Sequence, residues 1–229
     1  MTECMSNLNP EFERQAQHLV WLALLLAGVA WIGRGEEFQR GSYLGISTSA
    51  WFWWSIALPI LHQVWVVICW RLELHHQWLS RTLGDGGFGL YAAGFAFWSA
   101  GRFVTIIPLA IANQGTVPVD QRLLNVLALI VALSTIYLFF SVARYFGFRR
   151  ALGIDHFDPS YRQKPFVRKG IFRFTRNGMY TFGFGAIWLP GLLCASQAAL
   201  LSAAFSHLYI WVHYFCTELP DMRRIYGEA

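Results

Sequence analysis

Charge is what this chain has least of. Asp, Glu, Lys and Arg together make up 14% of its 229 residues, against 55% hydrophobic and 17% aromatic, far from the composition of a water-soluble domain. No polar stretch is long enough to fold by itself, which excludes a separate soluble domain and leaves one membrane-embedded unit. Cysteine is scarce as well. Cys4, Cys69, Cys194 and Cys216 include no C-x-x-C pair and mostly lie in or beside apolar runs, which excludes a disulfide framework and a zinc site. The histidine pairs His75-His76 and His207/His213 lack the i, i+4 spacing that brings two imidazoles to one metal, so no metal is expected. Glycine-rich phosphate loops and the dinucleotide-binding fingerprint are missing too. The first apolar run follows an acidic lead, Glu11-Phe12-Glu13-Arg14, and ends at Ile32-Gly33-Arg34 without a small-residue cleavage site, which argues against a removed signal peptide.

What the chain does have is a series of apolar runs. Spans are expected at His18–Gly33, Ala50–Trp70, Phe88–Ala112 and Leu123–Tyr145, and the forty or so apolar residues from Gly178 to Cys216 suffice for two more of about twenty each. Pro190-Gly191 and Ser196-Gln197 break that last run into a hairpin, and Thr217 is placed to cap a short final helix whose first turn tolerates Pro220. The fold class is all-α: a polytopic transmembrane helix bundle of about six spans ending in a C-terminal helical hairpin. A single domain divides into a four-span part (1–146), a basic loop (147–177), and the hairpin with its last helix (178–229). The first span is short, and five spans result if it lies in the interface. Trp51, Trp53 and Trp54 at one end of the second span, with Trp65 and Trp70 towards the other, read as interfacial belts. Gly89, Gly94 and Gly101 in the third span read as sites of close helix contact. Arg102, within that span, has to face the bundle or water rather than lipid.

The net charge of +5 and pI near 9.2 suit anionic lipid headgroups better than nucleic acid, because the excess is juxtamembrane arginine. With six spans, fourteen of the eighteen Lys and Arg fall on the side that holds both termini and the loop from Arg144 to Arg176; three fall opposite and Arg102 within a span. That bias predicts cytoplasmic termini and a cytoplasmic basic loop.

Two short stretches carry the chemistry. In Gly170–Tyr180, G-I-F-R-F-T-R-N-G-M-Y, Arg173 and Arg176 supply positive charge. Asn177-Gly178 supplies a turn, and a helix starting near Met179 offers free N–H groups, a combination suited to a carboxylate or phosphate. The plainer reading is a basic anchor at the end of a span. Further on, His213-Tyr214-Phe215-Cys216-Thr217-Glu218 precedes L-P-D-M-R-R-I-Y-G. Pro220 predicts a bend at Leu219 that brings Glu218 back towards the preceding helix, where a carboxylate can accept hydrogen bonds from a polar ligand. On a regular helix His213 and Glu218 lie about 140° apart, so they meet only at such a bend. The plainer reading of Glu218 is a solvated acid in the first turn of the last helix.

Together these stretches resemble the C-terminal core of the membrane methyltransferases that include isoprenylcysteine carboxyl methyltransferase and the phospholipid N-methyltransferases. Gly170, Phe172, Arg176 and Tyr180 fall on the pattern G-x-[FY]-x-x-x-R-H-P-x-Y, and Glu218, Met222, Tyr226 and Gly227 on E-E-x-x-L-x-x-x-F-G. The resemblance covers roughly the last sixty residues. Asn177-Gly178 stands in place of His-Pro and Thr217 in place of the first glutamate, and the chain stops at Gly227-Glu228-Ala229. The resemblance implies S-adenosylmethionine as cofactor, with Gly170, Arg176, Asn177, Met179 and Tyr180 lining its pocket and Glu218 holding its polar end. It implies a lipid or lipidated acceptor, a phospholipid amine or an isoprenylcysteine-like carboxylate, that approaches within the bilayer. His213 or Glu218 would take a proton from an amine, whereas a carboxylate acceptor would be oriented by Arg173 or Arg102. Competing readings are an NADPH-dependent membrane reductase of the sterol or steroid type, a non-enzymatic scaffold or transporter, and an inactive relative of the methyltransferases.

Overall fold

A computed structural model describes residues 10–227; Cys4 and the terminal pair Glu228-Ala229 lie outside the described residues. The chain is helical almost throughout. A 3-10 turn, Pro10–Phe12, leads into α1 (Gln15–Ile32). A one-turn helix, α2 (Glu36–Gln39), and a two-residue-strand hairpin, β1 (Ser42–Tyr43) with β2 (Ile46–Ser47), connect it to α3 (Thr48–His76). The short α4 (Trp78–Leu83) precedes α5 (Gly86–Ala112) and α6 (Gln121–Ser141), which ends in a π turn, Val142–Phe146. Then come α7 (Phe148–Ala151), α8 (Gly178–Phe182), α9 (Leu189–Leu193), α10 (Gln197–His213) and α11 (Leu219–Tyr226). Among the described residues five stretches are long and apolar enough to cross a membrane: Pro10–Ile32, Thr48–His76, Gly86–Ala112, Gln121–Phe146 and Gln197–Tyr226. The protein is thus an all-helical, multi-pass membrane bundle.

The interior lies between α3, α5 and α10, with α1 against α10 and α6 outside the broken limb 178–193. Without water to drive apolar surfaces together, such contacts rest on close packing and on polar groups that find partners. Leu19, Val20, Trp21 and Leu24 on α1, and Val126, Leu129, Ile130, Leu133 and Ile136 on α6, stay exposed, a surface that suits lipid and would aggregate in water. A side chain at Gly94 would overlap the Trp65 indole, and Gly101 lies against Leu58, so both serve close α3–α5 packing; Gly89 faces open space.

The structure departs from the expected spans in two places. The helix predicted to end at Trp70 continues to His76, so Arg71 and Glu73 belong to α3 and are buried instead of lying in a loop. Glu73 caps α4, accepting from the Leu79 and Ser80 N–H groups and the Ser80 hydroxyl, which makes burial of the acid tolerable. The limb after Gly178 is not one continuous span but α8, a 3-10 segment (Gly183–Trp188) and α9. Gly178, Gly183, Gly185 and Gly191 lower its helix propensity. The Thr135 hydroxyl of α6 takes up the Phe182 carbonyl at 2.9 Å, so irregular backbone survives there because it is covered by protein. Pro190 starts α9, Ser196 caps α10 through the Ala199 N–H, and the hairpin forms as expected.

Asn113, the cap of α5, ties the bundle together at the end opposite the basic stretch. Its amide donates to the Glu37 and Arg40 carbonyls at 2.6 and 3.2 Å. Its oxygen accepts from Thr116 Oγ1, Ser196 Oγ and Ala198 N at 2.9, 3.1 and 3.0 Å. Gly41, at φ +93, passes so close to the Ala112 carbonyl that any side chain would collide with it, and this lets the 34–47 connection reach Asn113.

Candidate functional site

The end of α10 decides the site. Pro220 does not bend the chain: Leu219 keeps helical angles, φ −60 and ψ −44, and Pro220 occupies the first turn of α11. A π turn, Tyr214–Glu218, joins the two helices instead. A proline inside a helix removes an N–H and crowds the carbonyl four residues back, here that of Cys216. The wider π turn moves that carbonyl aside and leaves several carbonyls without helical partners, which other elements then supply. Arg14 donates to Phe215 O at 3.2 Å, Gln15 Nε2 to Cys216 O at 3.2 Å and Arg71 to Thr217 O at 3.5 Å. Thr217 is therefore not a cap; its Oγ1 accepts from Gln15 at 3.3 Å. Because π hydrogen bonds close five residues apart, His213 and Glu218 come onto one side of the helix by widening rather than bending.

Glu218 Oε2 is enclosed and has no hydrogen-bond partner. Around it stands a layer of buried polar side chains. Asp221, fully buried, faces Arg71 Nε at 3.2 Å and His156 Nε2 at 3.5 Å, both out of line for a hydrogen bond. Arg71 also donates to the Pro10 carbonyl at 2.7 Å. His156 Nδ1 lies 3.2 Å from the Gly153 carbonyl, and its ring stacks on Trp70 with centroids 4.1 Å apart. Asp155 accepts from the Tyr226 hydroxyl and pairs with Arg150 at 3.8 Å, leaving Oδ1 unpartnered. Trp70 Nε1 and Tyr91 OH are enclosed as well and stand next to each other without a well-formed hydrogen bond. A cavity of about 200 Å³, lined by Glu73, Gln77, Ser80, His156, Phe157 and Arg162, opens beside this layer.

The stretch Gly170–Tyr180 docks on the end of α6. Gly170 has φ +60, and a side chain there would collide with Ser141, whose hydroxyl accepts from Ile171 N at 3.0 Å. Ile171 and Phe172 are buried against Leu138 and Val142, with Met179 packed alongside. Arg173 and Arg176 are exposed. The expected helix entrance near Met179 is only the five-residue α8, with Tyr180 N and Thr181 N already bonded to Asn177 O at 3.1 and 3.0 Å. So short a helix has little dipole to offer an anion. Tyr180 stands against Trp211 and Tyr214, ring centroids 5.7 and 5.2 Å away, beside the π turn that carries Glu218. The fold thus sets Tyr180 against the start of the π turn that links His213 to Glu218 and leaves Arg173 and Arg176 at the surface.

Sequence reasoning missed Trp70, Arg71, Tyr91, Asp155, His156 and Asp221. Trp70 reads as a belt residue but is an interior one, stacked on His156. Asp155-His156 reads as part of a polar loop, yet Leu152, Ile154 and Phe157 flank it, and that apolar setting was the available sign of burial. For Arg71 and Asp221 there was none, since their pairing spans 150 residues.

Such a molecule is a multi-pass membrane protein with a buried, mixed-charge polar site at one end of its bundle, built largely by the C-terminal helices. Residues 123–229 match the phospholipid methyltransferase family profile. A stretch of 58 residues is 40% identical to a phosphatidylethanolamine N-methyltransferase of Malassezia globosa; it represents 25% of this chain and 6% of that protein. The chain therefore corresponds to a small fraction of that relative's length. No solved structure matches.

Proposed function

We propose that this protein is an S-adenosylmethionine-dependent membrane methyltransferase acting on a lipidic or lipid-soluble acceptor. The observation that carries the reading is Glu218: a buried carboxylate oxygen without a partner, in the region that matches the family. Buried polar atoms left unpaired cost about 1–3 kcal/mol each, and those around Glu218 include both kinds a polar cofactor needs. Glu218 Oε2 and Asp155 Oδ1 are acceptors suited to an ammonium or to hydroxyls, while Trp70 Nε1 and Tyr91 OH are donors. On this reading Tyr180 and the backbone of Gly170 and Arg176–Met179, including Asn177, line the pocket, and Glu218 holds the polar end. The adjoining 200 Å³ cavity is below the usual size of a small-molecule pocket.

Adenosylmethionine, when bound, supplies a methyl group on a sulfonium for in-line displacement. The chain's own task is then alignment and exclusion of water. His213, with Nδ1 unpartnered, and Glu218 are the groups that would take the proton of a lipid amine. Arg173, exposed where the basic stretch meets the interface, would attract an anionic acceptor to the surface. We place both termini and the basic stretch on the cytoplasmic side, from the arginine bias. The contacts of Arg14 and Gln15 with 215–217, and of Arg224 with Glu13 at 2.8 Å, support one common side.

Thermal unfolding of the purified protein in neutral detergent tests the reading. Adenosylmethionine should raise the midpoint by mass action, and Glu218→Gln should weaken binding about 10- to 100-fold, the worth of one charged hydrogen bond. No shift with adenosylmethionine but one with NADPH would replace this reading by the reductase.

A further inference from the structure

Below the acidic layer the bundle holds a second polar layer of opposite character. It includes His62 at the middle of α3, Arg102 in the middle of α5, and His213 on α10, which are 3%, 7% and 2% exposed. Gly94 packs on Trp65 and Gly101 on Leu58, a register of α5 on α3 that sets His62 and Arg102 within about a turn of each other on packed helices. Tyr209 and His213 of α10 lie within electrostatic reach of Arg102. Among the described residues no carboxylate pairs with Arg102 and no hydrogen bond leaves its guanidinium; Nε is enclosed and unpartnered. The Phe184 ring lies 5.3 Å from its Cζ. Both ring nitrogens of His62 are enclosed and unpartnered too, its ring held edge-on by Phe95 at 4.5 Å.

A guanidinium cannot shed its charge, and one held in a membrane interior without an acid marks a functional position. Arg71, the other buried arginine of the interior, does have an acid beside it, with Asp221 3.2 Å from its Nε. We propose that Arg102 and His62 form an oxyanion site for the acid group, carboxylate or phosphate, of a membrane-soluble molecule. Resting on the methyltransferase reading, that molecule is the acceptor. The planar guanidinium offers a two-pronged donor to an oxyanion, and an imidazole N–H from the facing helix adds a third. Both residues lie outside 123–229, so the N-terminal half, which the family match does not reach, supplies acceptor recognition, while the acids of the cofactor pocket, Glu218 and Asp155, come from the matched part.

Thermal unfolding of the full chain in neutral detergent, with oleate, oleoyl lysophosphatidate or the neutral oleyl alcohol, tests this. At a hundredfold excess over its Kd the matching anion should raise the midpoint by about 5 °C or more; oleyl alcohol should not. Oleate as the stronger ligand identifies a carboxylate, lysophosphatidate a phosphate. Arg102→Gln should abolish the anion shift and keep the adenosylmethionine shift, and Arg102→Lys should bind the anion about tenfold more weakly, having lost the fork. Should Arg102→Gln not fold, His62→Phe reports in its place, with a weakened anion shift. Equal stabilisation by oleyl alcohol, no response to either anion, or an undiminished anion response in both Arg102→Gln and His62→Phe would overturn the site. Loss of the adenosylmethionine response alone would overturn the methyltransferase reading and leave the anion site standing.

Discussion

Helix α5 carries two buried polar residues with opposite fates. The Asn113 side chain at its end makes five hydrogen bonds to three segments of chain; the Arg102 side chain, about three turns earlier, makes none among the described residues. Both are shielded from lipid and from water. A structural polar group is recognised by closed hydrogen bonding, and one meant for a ligand by bonds left open. The contrast teaches that burial alone does not separate scaffold from site; satisfaction does.

If that distinction is sound, the two residues respond to substitution with opposite sign. The largest effect should come from Asn113→Leu, which strands the Glu37, Arg40, Thr116, Ser196 and Ala198 groups. Denaturant or thermal unfolding should show a loss of about 3 kcal/mol or more, and a loss near zero would break the comparison. Ser196→Ala removes one hub donor and the α10 cap together, and should cost about 1–2 kcal/mol in the same assay. Arg102→Met replaces an uncompensated charge by a flexible apolar chain, and without ligand it should be about 1 kcal/mol more stable than the parent. A clear destabilisation there would make Arg102 a structural residue and remove the contrast. The smallest effect belongs to a surface acid of neither kind. The Asp158 carboxyl is held below the usual carboxylate range chiefly by hydrogen bonds from the Ser160 side chain and backbone. A lowered value means that its support is complete above the usual carboxylate pKa and fades as pH falls through the folded value. Asp158→Asn should therefore lower the midpoint slightly at pH 7 and not at all in strong acid.

Much of this was legible before any fold was at hand. Apolar runs of span length located α1, α5, α6 and the start of α3 within a few residues, because hydrophobic length is a property of contiguous sequence; the end of α3, where the residues turn polar, was missed. The glycine spacing identified Gly94 and Gly101 as contact points, but Gly89 shares the spacing and faces nothing, since spacing does not say which face meets a neighbour. Pro220 signalled an irregularity after His213, yet whether it became a bend or a π turn depended on Arg14, Gln15 and Arg71 arriving to take the freed carbonyls.

The sequence by itself determined a membrane bundle, the basic stretch between α6 and the final hairpin, and Tyr180 and Glu218 as residues to watch. Hydropathy, charge bias and short motifs are all local quantities. Only the tertiary structure decided that Arg71, Asp155, His156 and Asp221 wall the same region as Glu218, and that Arg102 and His62 lie buried on packed neighbouring helices with no acid paired to either among the described residues. Partners far apart in the chain meet only through helix packing, and an unmade bond becomes visible only when every neighbour that could have made it is in place.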